Sequence, residues 1–277
     1  MRAGSKKFDL IAGHVDSGER TMLWDASSIN GYAIEASDGR LGSVSDLLFE
    51  DGGWDIRWLV VDTGNWLSGR KVLLPLSALG QPDPALRQFP VKLNMQQVKD
   101  SPDIDTDMPV SRQMEADVFN YYGGEPYWGG PLIPMSNAIA TPLIAPLYSS
   151  GSNASDPGGA DSQPNGGDPH LRSIAAMTGY HIHASDGEIG HVEDFLVDVV
   201  GWRIRYIMVD TSGWWPGEKV LISPLSVREI DWADRQIQLD VKRQQVKDAP
   251  PYDPAITVDG AYDEKFLTYY CIGWVEA

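Results

Sequence analysis

Three histidines in the second half of the chain are the first side chains that could do chemistry. His181 and His183 stand two apart, a spacing that puts both on one face of a strand, and His191 follows across a turn. A three-residue loop would set His191 opposite His181, and a two-residue loop would set it opposite Ile182 on the other face. Brought together, the three imidazoles could hold a zinc or nickel ion. A second group pairs carboxylates with cations: Asp46, Arg57, Asp62 and Lys71, then Asp194, Arg205, Asp210 and Lys219. A carboxylate buried beside Arg or Lys could be a perturbed acid–base pair. The expected role is structural, with an Asp at a strand end accepting backbone N–H bonds from the next turn and a cation pairing with it. Asp103 to Asp107 resembles the start of a calcium loop, but Pro109 follows, and the Gly and Glu that such a loop needs are missing.

Other chemistry is absent from the sequence. It contains no glycine-rich dinucleotide or phosphate loop, no nucleophile elbow and no His-Glu-x-x-His. No enzyme activity and no cofactor are expected. With 22 basic and 39 acidic residues the net charge is −17, which repels nucleic acid and anionic lipid. A single cysteine, Cys271, can form neither an internal disulfide nor a cysteine-based zinc site. Neither a signal-type apolar segment nor a membrane-spanning run is present, so a cytoplasmic protein is expected.

The elements that position these residues occur twice. Gly31 to Thr63 aligns with Gly179 to Thr211 without a gap, matching Ser37-Asp38-Gly39 to Ser185-Asp186-Gly187 and Trp54 to Trp202. After a one-residue insertion in the second copy, Pro75-Leu76-Ser77 matches Pro224-Leu225-Ser226. Gln96 to Asp100 then recurs as Gln244 to Asp248, and Tyr121-Tyr122 as Tyr269-Tyr270. In the first copy the histidine positions are Ala33, Glu35 and Ser43, so a solvated face is the expected role of the histidine strand. Residues kept in both copies serve the module more naturally than they serve one site.

Each copy reads as short strands, at 32–36, 41–49, 54–62 and 71–74 in the first, with a fifth near 86–93. Asp38-Gly39 supplies the tight hairpin between the first two. Residues 111–122 carry Met114, Val118 and Tyr121 at helical spacing and form a short helix. The expected fold is mainly β: two small antiparallel barrels, each followed by a short helix and joined by a flexible linker. The divisions are a poorly ordered tail at 1–26, a first unit at 27–125, a Pro/Gly/Ser-rich linker at 126–172 and a second unit at 173–277. Trp66, Trp214 and Trp215 fall in turns, either as lids on a barrel end or as anchors for a partner.

The segment from Trp54 to Pro75, its counterpart from Trp202 to Thr211, and the tail from Ser111 through Tyr121-Tyr122 to Tyr127-Trp128 resemble bacterial tandem PRC-barrel proteins. That resemblance implies the barrel of the photosynthetic reaction centre H subunit's cytoplasmic part and of the ribosome maturation factors. In both the barrel is a docking module without known catalytic residues. It implies here a non-enzymatic interaction or assembly module with a protein partner. The two barrels would form an intramolecular pseudo-dimer, with a homo-oligomer also open. The alternative is a small-ligand or metal-binding protein using His181, His183 and His191.

Overall fold

The computed structural model describes residues 23–102, 110–123, 169–213 and 219–249, together with 252, 262, 265, 266, 268 and 269. The first sheet is built from β2 (Ala33–Ala36), β3 (Gly39–Glu50), β4 (Ile56–Asp62), β5 (Lys71–Pro75) and β6 (Gln88–Pro90). Their order is β5-β4-β3-β2-β6. The second is built from β9 (His181–Ala184), β10 (Gly187–Asp198), β11 (Arg203–Asp210), β12 (Lys219–Ile222), β13 (Val227–Asp231) and β14 (Gln236–Leu239). Its order, β12-β11-β10-β9-β14-β13, repeats that of the first with one strand added. The chain is thus mainly β, in two sheets with a few short helices.

One departure from the expected antiparallel pattern occurs in each sheet. β6 pairs with β2 in parallel, and β14 with β9. A hairpin forces antiparallel pairing, but these strands arrive by long connections, which leave direction free.

Two strands lie where tail and linker were expected, and a third was not foreseen inside the first unit. β1 (Leu23–Asp25) leads into α1 (Ala26–Ile29), and β8 (Pro169–Ser173) leads into α4 (Ile174–Met177). β7 (Val110–Ser111) pairs with β8 and runs into α3 (Arg112–Tyr122). The reason is geometric. β3 and β10 are each 12 residues long, whereas their hairpin partners β2 and β9 have 4. Half of one edge of each long strand is left unpaired, and backbone groups there require partners.

β4 is buried on both faces, which explains why its run turns apolar on both. Leu59 and Val61 join the main core, while Trp58 and Val60 pack with Leu48, Leu73, Leu171 of β8 and Val118 of α3. Trp58 Nε1 donates to Glu115 of α3 at 2.6 Å, with both residues fully buried. The helices α2 (Met95–Lys99) and α5 (Arg243–Lys247) are the remaining described α-helices. α2 begins with a reciprocal cap, Asn94 accepting from Gln97 N–H and Gln97 from Asn94 N–H.

Candidate functional site

The two sheets are joined by an exchange of strands. β8, the segment entering the second sheet, pairs with the free half of β3, with Leu48 opposite Ser173 and Glu50 opposite Leu171. β1, the segment entering the first sheet, pairs with the free half of β10, with Leu23 opposite Asp198 and Asp25 opposite Leu196. Each sheet therefore takes a strand from the leader of the other.

Asp46 and Asp194 sit where these exchanges are fastened. Ser173 Oγ donates to Asp46 Oδ2, and Ala175 N–H donates to Asp46 Oδ1 at 3.1 Å. In the mirror position Ser27 Oγ and N–H donate to Asp194 at 2.5 and 3.2 Å. Each carboxylate thus binds the first turn of the other unit's short helix, where backbone N–H groups lack helical partners. Burial raises the Asp46 pKa, against the opposing effects of its hydrogen bonds and of Lys71.

The two clasps differ at two positions, one of them the exchange of Ser27 for Ala175. The position held by Ser173 in the second leader is Asp25 in the first. Partial burial, then the carboxylates of Asp194 and Glu193, raise the Asp25 pKa, and Lys219 opposes them. A folded pKa above the unfolded value means this group favours folding most below about pH 3.8 and opposes it as pH rises through the folded value. Asp25→Ser should therefore stabilise the chain at pH 7 and flatten its stability curve on the acid side. Because Asp25 is exposed by area, the gain should be only about 0.5 kcal/mol in urea unfolding. An unchanged or lowered midpoint would show that the carboxylate is not repelled.

At the centre of the junction the copies meet through equivalent residues. Ile56 N–H donates to Trp202 C=O at 2.7 Å, and Ile204 N–H donates to Trp54 C=O at 2.9 Å. Asp55 and Arg203, equivalent positions in the two copies, face each other as an antiparallel bridge. Arg203 Nε donates to Asp55 Oδ1 at 2.6 Å, which raises the Arg203 pKa further. Trp54 and Trp202 both adopt left-handed backbone, φ 62° and 50°. That conformation is uncommon for a bulky residue and is kept at both sides of this contact. Trp54 stacks on Phe49 at 5.3 Å, and Trp202 reaches across to Phe89 of the first sheet at 6.1 Å. Arg172 of β8 links both units, donating to Asp51 at 3.1 Å and lying 4.0 Å over the Trp232 ring.

The other candidate residues are dispersed. Asp62 accepts from Gly64 N–H and Asp210 from Ser212 N–H, each at 2.8 Å. Lys71 and Lys219 stand opposite these two aspartates in the sheets, and Lys219 donates to Glu193. Arg57 donates to Asp55 at 3.0 Å and lies 3.6 Å from Glu50, while Arg205 is half-buried in β11. Half-buried Trp66 packs against the core and donates its indole N–H to Leu41 C=O. Trp214, Trp215, Cys271 and the run from Asp103 to Asp107 lie outside the described residues.

The three histidines lie near Glu188 on the β9–β10 hairpin, in no arrangement that holds a metal ion. The hairpin turn is the two-residue Ser185-Asp186, yet a bulge at Ile189 adds one residue and sets His191 opposite His181. His181 Nδ1 lies 2.9 Å from Glu188, and His191 Nε2 lies 3.7 Å from Asp210. The His181 hydrogen bond holds the Glu188 carboxyl below its usual range, helped by the nearby charges of His183 and His191. Among the described residues no group of three or more His, Cys, Asp or Glu is arranged to hold a metal ion.

Residues 25–87, which run from β1 to the turn before β6, match the family described as the PRC-barrel domain. The first unit carries a PRC-barrel domain. An uncharacterized protein of Deinococcus radiodurans is similar, 31% identical over 108 residues. That match spans 39% of this chain and 36% of the relative, so the chain covers little more than a third of the relative's length. The PRC-barrel segment contains Asp46, Asp55, Trp54 and Trp66, which places the Asp46 clasp and the Asp55 contact inside the matched segment. Among the described residues no helix is long and apolar enough to cross a membrane.

The sequence reading missed Ser27, Ser173, Asp55 and Arg203. A signal existed for the last two: aligning the copies puts opposite charges at one position.

Proposed function

We propose that the chain is a tandem PRC-barrel protein acting as a non-enzymatic interaction or assembly module for a protein partner. The observation that supports this is the reciprocal strand exchange, in which each sheet is completed by backbone pairing to a remote segment. Strand addition of this kind takes its affinity from main-chain hydrogen bonds and its specificity from flanking side chains. The recurring aspartates bind backbone and hydroxyl groups of the chain itself, as structural anchors rather than acid–base groups. The Trp turns are the partner-facing candidates, and the net charge of −17 disfavours a nucleic acid partner.

Affinity purification of the full chain from its native host tests this, with mass spectrometry and elemental analysis of the eluate. One protein should be retained in stoichiometric amount and be lost when Trp66, Trp214 and Trp215 are together replaced by Ala in a chain that still folds. Zinc or nickel at one ion per chain, with no protein retained, would favour the histidine alternative and overturn this reading.

A further inference from the structure

We propose that Asp55 and Arg203 form a pairing code at the junction, which selects association of the first unit with the second and rejects association of like with like. The inference goes beyond the interaction module and does not depend on it.

The backbone contact around this pair is isologous. Trp54 and Ile56 of one copy bond Ile204 and Trp202 of the other, and the leader of each copy pairs with the long strand of the other. Nothing in that backbone pattern distinguishes a partner of the same kind from one of the other kind. A self-complementary surface of this type would equally join two first units or two second units from different chains. The residue on the local twofold decides, because it meets its own equivalent. Two first units would oppose Asp55 to Asp55, and two second units Arg203 to Arg203. Only the mixed pair places a guanidinium against a carboxylate, and there the two meet at 2.6 Å. Like charges directly opposite each other are destabilising, so one position supplies both the attraction and the rejection.

Asp55 has a second contact, with Arg57 at 3.0 Å. The second copy carries Arg203 beside Arg205 and the first carries Asp55 beside Arg57. Asp55→Arg and Arg203→Asp therefore each install what the other copy already holds at that place.

The test uses full-length chains with different affinity tags. Asp55→Arg alone gives a junction with two guanidinium groups, and Arg203→Asp alone gives one with two carboxylates. Mixed, these two variants can exchange units so that both junctions between them are complementary. After unfolding and refolding together, native mass spectrometry should show a 1:1 complex of the two variants, in at least about tenfold excess over the wild-type pair treated alike. The double variant Asp55→Arg/Arg203→Asp should return to the wild-type distribution and regain most of the stability that either single variant loses. A statistical mixture of tags, or a double variant no better than the singles, would overturn the code. If the single variants do not fold alone, the double variant and the mixed refolding still decide the matter.

Discussion

Replacing Gly42 by Ala should unfold the first sheet or cost at least about 3 kcal/mol, and Gly190→Ala should do the same to the second. Leu41 and Ile189 are bulged in their hairpins, and both are fully buried. At each bulge this side chain lies in the core, and the following glycine lies against the next strand. A Cβ on Gly42 would lie 2.0 Å from Asp62 C=O, and one on Gly190 would lie 1.9 Å from Asp210 C=O. Main chain cannot retreat as a flexible side chain can, and φ of +154° and +143° adds strain for any residue with a Cβ. Gly31→Ala is the control. Its φ is +80°, but nothing lies within 4 Å of the added methyl, so the cost should be about 1–2 kcal/mol. Urea unfolding of the three variants measures the difference. Equal losses at Gly31 and Gly42 would mean that backbone conformation alone, and no close approach, required glycine.

Asp46→Ala should destabilise the chain by about 2–4 kcal/mol, because it removes the acceptor for Ser173 Oγ and for the N–H of Ala175 and Leu47. Ser173→Ala should cost about 1–2 kcal/mol, since its hydroxyl also caps Ala176 N–H. If the clasp holds the units together, the double variant should lose less than the sum, with a coupling of about 1 kcal/mol or more. Simple additivity would show that Asp46 serves only its own strand. The pH dependence carries a further sign. Burial raises the Asp46 pKa above 3.8, so its contribution is fully present below that value and diminishes as pH rises through the folded pKa. Asp46→Asn should remove that part of the decline, measured by denaturant midpoints between about pH 3 and 7.

Much of the fold is legible in the residues because it depends on local chemistry. Alternation of apolar side chains marked the strands, and Asp38-Gly39 marked the hairpin. Self-alignment announced two units, and the sheets show the same strand order. What escaped was decided by partners distant in sequence. Leu23–Asp25 and Pro169–Ser173 have no strong strand pattern of their own and become strands on the unpaired halves of β10 and β3. The histidine register depended on a bulge at Ile189, which shifts every later residue of β10 by one place against β9.

The carboxylates show the same division. That Asp46 and Asp194 recur is visible in the sequence, whereas the expected duty of a strand-ending Asp toward the next turn is met by Asp62 and Asp210. That Asp46 and Asp194 each grip the other unit's leader, rather than a turn of their own, follows only when the sheets are placed side by side. Asp55 and Arg203 are a difference between two aligned residues until the local twofold brings them to 2.6 Å. The sequence by itself determined the short strands, the hairpins and the residues that recur, because these are set by periodicity and turn chemistry. The tertiary structure alone decided which of those residues join the halves, because the free edge of a long strand selects its partner through space.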